Sequence, residues 1–162
     1  MVELGKILLK FMQILFYKNY LTFIKNSVGT KLFQNFYVLE NGEEKDILAG
    51  GEISCAIFVS NILYLFPNLN LIKSAHATIN STIKDMQNCG WYEITELKIG
   101  AVILWEGIIF ENTGMHKHIG FYIGNGKAIS NSDKLKTPVE HDVDFDKTRK
   151  VEKIFWNDNL NI

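Results

Sequence analysis

The chain has almost no net charge: 17 Lys and Arg stand against 18 Asp and Glu, for a formal -1 at pH 7, so no field builds up that would draw in nucleic acid. Its two cysteines, Cys55 and Cys89, are too few for the disulfide framework that staples small secreted domains. No apolar run reaches the roughly 18 residues of a transmembrane helix. The apolar start over 1–16 lacks a positive beginning, is interrupted by Lys10 and is followed by no small-residue cleavage site, so it does not read as a signal peptide. A cytoplasmic setting is therefore the default expectation. Repeats, low-complexity tracts and linkers are missing too, and 162 residues is the length of one ordinary domain. We read a single domain over 1–162, with a helical N-terminal extension over 1–49 and a core over 50–162.

What the chain does have is apolar mass: 47% hydrophobic and 12% aromatic residues predict a dense core rather than disorder. Leu4, Leu8, Phe11 and Leu15 recur at helical spacing, which predicts one or two amphipathic helices between residue 3 and about residue 27. Packing on the rest of the domain is favoured for this element over contact with a membrane surface or a partner. Residues 31–39 are ambiguous between helix end and strand, and 40–46 reads as a charged loop. A short amphipathic helix is predicted from Thr78 to Cys89, with Gly90 as its stop and Cys89 as packing. Beyond Gly90 the period becomes that of strands: 101–105, then 116–123, then 127–130 across the hairpin signal Asn125-Gly126, and finally 151–156. Residues 134–148 show no pattern and read as a polar loop. Helices first and an antiparallel sheet after is an α+β layout.

One stretch organises the rest. Gly50-Gly51-Glu52-Ile53-Ser54 allows a turn and an N-cap at Ser54, the dozen residues from Cys55 are almost wholly apolar, and Phe66-Pro67 ends them. This predicts a buried helix with Cys55 in its first turn, where unpaired N–H groups and the helix dipole favour thiolate. A cysteine nucleophile needs a base and the base needs an orienting group. Among His76, His116, His118 and His141, His118 is the candidate, because Gly120 two residues on lets backbone or substrate come close. His76 reads as a cap or loop contact; His141 reaches the site only if the loop after Ser130 folds back, and a surface position is favoured for it. Trp91, Trp105 and Trp156 read as walls of the core or of a cleft.

Three segments, Ser54-Cys55-Ala56-Ile57-Phe58-Val59, Leu97-Lys98-Ile99-Gly100-Ala101-Val102-Ile103-Leu104-Trp105, and the hairpin from His118 to Ser130, resemble the signature segments of papain-like cysteine peptidases of the NlpC and CHAP kinds. The resemblance spans roughly residues 50 to 131 in the family's order. It implies a central helix carrying the cysteine, packed on an antiparallel sheet or half-barrel. It implies Cys55 as nucleophile, His118 as general base and the Cys55 backbone N–H in the oxyanion hole. The family's orienting position, about twelve residues after the histidine, falls on Ser130, where a His, Asn or Gln is usual. A two-residue hairpin loop puts Asp133 opposite His118 and Asn131 diagonal to it, whereas a three-residue loop brings Ser130 to that face. Asn131 is preferred, and the alternatives stay open. Ile99 and Ala101 replace the family's proline and aspartate around Gly100, and Ser54 replaces the aspartate before the nucleophile. The implied activity is cleavage of an amide bond in a peptide or peptidoglycan stem peptide, with no cofactor and no metal; the rival expectation is a domain that binds such a ligand or a protein without cleaving it.

Overall fold

Apolar residues at helical spacing build α1, Phe16–Asn26, which buries Tyr20 and Ile24 and leaves Lys18 and Lys25 in water. The computed structural model describes residues 12–110 and 114–161, so Leu4, Leu8 and Phe11 of the predicted amphipathic element lie outside the described residues. After α1 the extension is not helical: Tyr37–Glu40 (β1) and Glu43–Asp46 (β2) form a hairpin across Asn41-Gly42, both at positive φ. Apolar period missed it because its side chains are mostly exposed. Asp46 ties the hairpin to the core instead, its carboxylate accepting from Asn35 Nδ2 (2.8 Å) and from the backbone N–H groups of Phe36, Leu48 and Gly50. Those donors, led by Phe36, hold the Asp46 carboxyl down to about 2.

The run with no polar face becomes α2, Cys55–Tyr64, with Ala56, Ile57, Phe58, Val59, Ser60, Ile62 and Leu63 buried. Phe58 meets Phe121 and Phe33 edge-on at 5.5 and 5.2 Å. Helix α3, Ile79–Asn88, begins where Thr78 accepts from the Ser81 N–H (3.2 Å) and stops before Gly90, whose φ of +91° suits only glycine.

Six strands follow: β3 (Tyr92–Ile94), β4 (Val102–Phe110), β5 (Gly114–Gly124), β6 (Lys127–Asn131), β7 (Pro138–Asp142) and β8 (Val151–Trp156). They pair antiparallel in the order β3-β8-β4-β5-β6-β7, an open sheet rather than a closed half-barrel among the described residues. Strand β7 lies in the segment read as a patternless loop. It is an edge strand of mostly polar, half-covered residues, so its sequence carries no apolar alternation, and its proline sits at the first position, where a missing N–H costs least. Alternation divides the inner strands cleanly. Val102, Leu104, Ile119, Phe121 and Ile129 face the helices, while Ile103, Trp105 and Ala128 form a second, smaller apolar layer on the opposite face with Val143 and Phe145. The fold is thus α+β, with helices on one face of an antiparallel sheet. No helix among the described residues is long and apolar enough to cross a membrane.

Candidate active site

His118 leaves β5 on the face opposite the helices, over the Trp105 ring (centroids 5.7 Å). The β5–β6 register settles its neighbour. Pairing runs Gly124↔Lys127 and then Tyr122↔Ala128, so a bulge intervenes and Gly120 faces Ser130. Asp133 is therefore not opposite His118; it is exposed, and its carboxylate accepts from the next residue's N–H. Gly120 makes the close approach feasible, since a Cβ there would lie 2.5 Å from the Ile129 carbonyl and 2.7 Å from Ser130 Cβ. With no side chain in the way, Ser130 Oγ sits 2.8 Å from His118 Nε2 and 2.7 Å from His141 Nε2.

This chain of contacts fixes protons. His141 Nδ1 lies 2.8 Å from the Asp142 carbonyl, which can only accept, so Nδ1 carries the hydrogen and Nε2 is bare. Ser130 then donates to His141 Nε2 and accepts from His118 Nε2–H, leaving His118 Nδ1 without a proton, the state a base requires. Burial, then the Arg149 charge, then His141, pull His118 from 6.5 down to about 3, so the ring is neutral at physiological pH.

The wall beyond His118 comes from the connection between β7 and β8. Phe145 stacks on His141 (3.9 Å, 22°) and meets Trp105 edge-on at 5.3 Å, while Trp105 Nε1 donates to the Val143 carbonyl at 2.6 Å. Phe145, Asp146 and Lys147 have φ of 51°, 56° and 67°, three consecutive side-chain-bearing residues in the left-handed region. Such a turn costs about 1–2 kcal/mol per residue. It sets Phe145 against the histidines and delivers Arg149, 8% exposed, to the same face. There Arg149 Nε donates to the Glu106 carbonyl (2.9 Å) and Nη2 to the His116 carbonyl, across the β4–β5 bulge.

Cys55, half-buried at the head of α2, meets β5 through its backbone: the Ile119 N–H, one residue from His118, faces the sulfur. No hydrogen bond joins the sulfur to the His118 ring. The expected bias toward thiolate is outweighed. Burial pushes the Cys55 thiol up, against the opposing pull of the Ile119, Ala56 and Cys55 N–H groups and of Arg149, so the resting sulfur holds its proton. Ser54 does not cap the helix with its side chain; its Oγ is buried without a partner among the described residues. Asn131, preferred from the sequence, instead donates to the Gly51 carbonyl (2.8 Å) and ties β6 to the turn before α2. The structure thus brings His118 and Ser130 together, joins Asn131 to the turn that carries Cys55, and leaves Asp133 outside.

One residue was underrated and one was missed. His141, for which the sequence favours a surface position over an approach by a folded-back loop, contacts Ser130; its signal was the edge strand that periodicity cannot see. Arg149 stood next to a recognised strand but no motif marked it. His76, by contrast, is a structural contact, pairing with Asp85 at 2.7 Å. Among the described residues no three His, Cys, Asp or Glu side chains gather as a metal site. Comparison with protein-family models finds no match to this chain, and neither does comparison with curated proteins.

Proposed function

We propose that the chain is a papain-like cysteine hydrolase of the NlpC and CHAP kind, cleaving an amide bond in a peptide or peptidoglycan stem peptide. The observation that carries this reading is the His118–Ser130–His141 chain, which leaves His118 Nδ1 bare on the strand whose next N–H faces Cys55. Ser130 is the orienting group, itself held by His141. Because the resting pair is a thiol and a neutral imidazole, the proton moves as attack occurs. The Cys55 sulfur bonds to the carbonyl carbon while its proton passes to His118; backbone N–H groups at the head of α2 hold the oxyanion; His118 then protonates the leaving amine as the C–N bond breaks. Water, giving its proton to His118, cleaves the thioester and restores the thiol.

The test is product analysis on peptides and peptidoglycan stem-peptide fragments with wild-type, Cys55→Ala and His118→Ala chains. Cleavage by the first alone is expected, and retained turnover in either variant refutes the reading. The raised thiol favours one rival, a papain-like domain that binds such ligands, or a protein partner, without cleaving them. Alkylation of Cys55 by iodoacetamide at pH 7 separates the two: a rate that drops in His118→Ala supports the pair, and an unchanged rate supports the binding domain.

A further inference from the structure

Arg149 is the feature that the hydrolytic chemistry leaves unused. The residue is buried, 8% exposed, yet none of the ion pairs among the described residues includes it. Arginine is rarely buried without a carboxylate, because removing the charge from water is costly. Of five N–H donors, one on Nε and one on Nη2 reach the carbonyls of Glu106 and His116, and the other three find no partner among the described residues. The carboxylates whose charge reaches it, Asp133 and Glu106, stand beyond ion-pair distance, and Glu106 Oε1 is already engaged by the Lys150 N–H. Phe145 lies 5.9 Å from the guanidinium and shields it on one side. The left-handed turn over 145–147 sets Phe145 between this unneutralised fork and His118, the Phe145 and His118 rings standing 5.8 Å apart, with the fork bonded to the carbonyl of His116 two residues up the same strand, so that its charge acts on both His118 and Cys55.

We infer that Arg149 is an anion subsite beside Cys55, taking a carboxylate of the ligand so that the preferred substrate carries a carboxylate next to the bond presented to the thiol. A planar guanidinium with paired free donors matches a carboxylate in geometry, and partial burial strengthens the contact. As a statement about substrate, this rests on the hydrolase reading; as a statement about the site, it does not.

Two alkylating reagents that differ only in charge test it without turnover. Iodoacetate and iodoacetamide both give up iodide as the Cys55 sulfur bonds to the methylene carbon and the thiol proton leaves to His118 or water. The ratio of their rates at Cys55, read by peptide mass spectrometry, is compared in the folded chain and in the urea-unfolded chain. The folded ratio is expected to favour iodoacetate by about tenfold or more over the unfolded one, the factor one charge-assisted hydrogen bond supplies. Arg149→Gln should return it to the unfolded value and Arg149→Lys should retain part. An equal ratio in folded and unfolded wild type overturns the inference, as does full preference in a folded Arg149→Gln chain. Should that variant not fold, wild type decides: propionate, but not propionamide, is expected to protect Cys55 from iodoacetamide, and no protection overturns the inference. Preference for iodoacetate in a chain that cleaves no amide leaves the subsite and removes the hydrolase; cleavage through Cys55 without preference does the reverse.

Discussion

Neutral His118 has a cost that acid reveals. Its folded-state value of about 3 lies below the ordinary 6.5, so between those limits the unfolded chain binds a proton that the folded chain refuses. The stability is fully present above pH 6.5 and drains away as pH falls toward 3. At about 1.4 kcal/mol per pH unit, some 2 kcal/mol is lost between pH 7.5 and pH 5, a figure that holds so long as the folded value stays below about 4. The perturbation is His118→Gln, whose amide keeps a donor for Ser130 but does not titrate. The assay is urea unfolding of both chains at pH 7.5, 6 and 5. His141, also lowered by burial, titrates in both chains and cancels in the difference. Wild type is expected to lose about 2 kcal/mol more than the variant across this window. Equal losses would show that His118 protonates freely in the fold, and the argument for a buried, proton-free base would go with it.

Ser130→Ala should cost about 1–3 kcal/mol in urea unfolding, since it strands His118 Nε2–H and His141 Nε2 together, and it should lower amide turnover; neither changing would mean the hydroxyl is idle. Gly120→Ala should destabilise by about 1–3 kcal/mol in thermal unfolding, because its Cβ would stand 2.5 Å from the Ile129 carbonyl, and an unaffected Tm would show that β6 has room to move. Lys147→Gly should instead stabilise by about 1 kcal/mol, relieving a φ of 67°, and a lower Tm would argue against the left-handed turn.

What could be read in advance follows burial. The helix at Cys55, the amphipathic helix after Thr78, the Gly90 stop and the 151–156 strand each carry an apolar period or a turn residue that local physics interprets directly. The β1–β2 hairpin and β7 carry none: one is held by the Asp46 carboxylate and the other lies at a polar edge. The site divides the same way. Cys55 and His118 stand out because a helix start and a Gly-spaced strand frame them. Choosing Ser130 over Asn131 and Asp133 needed the bulge between Tyr122 and Gly124, a one-residue change in register that the Asn125-Gly126 signal does not encode. His141 reaches the site on the polar edge strand β7, and Arg149 through a left-handed turn of Phe145, Asp146 and Lys147, of which only the aspartate has any propensity for it, so tertiary packing selects that conformation.

The central claim is that Cys55 attacks an amide with His118 as its base, and rapid-quench mass spectrometry tests it most directly. Wild-type chain mixed with a cleavable stem-peptide or peptide substrate and quenched within a turnover should show the acyl group bonded to the Cys55 peptide, with the amine product released in equal amount. Cleavage that proceeds with no adduct on Cys55, at the same rate in Cys55→Ala, would contradict the account.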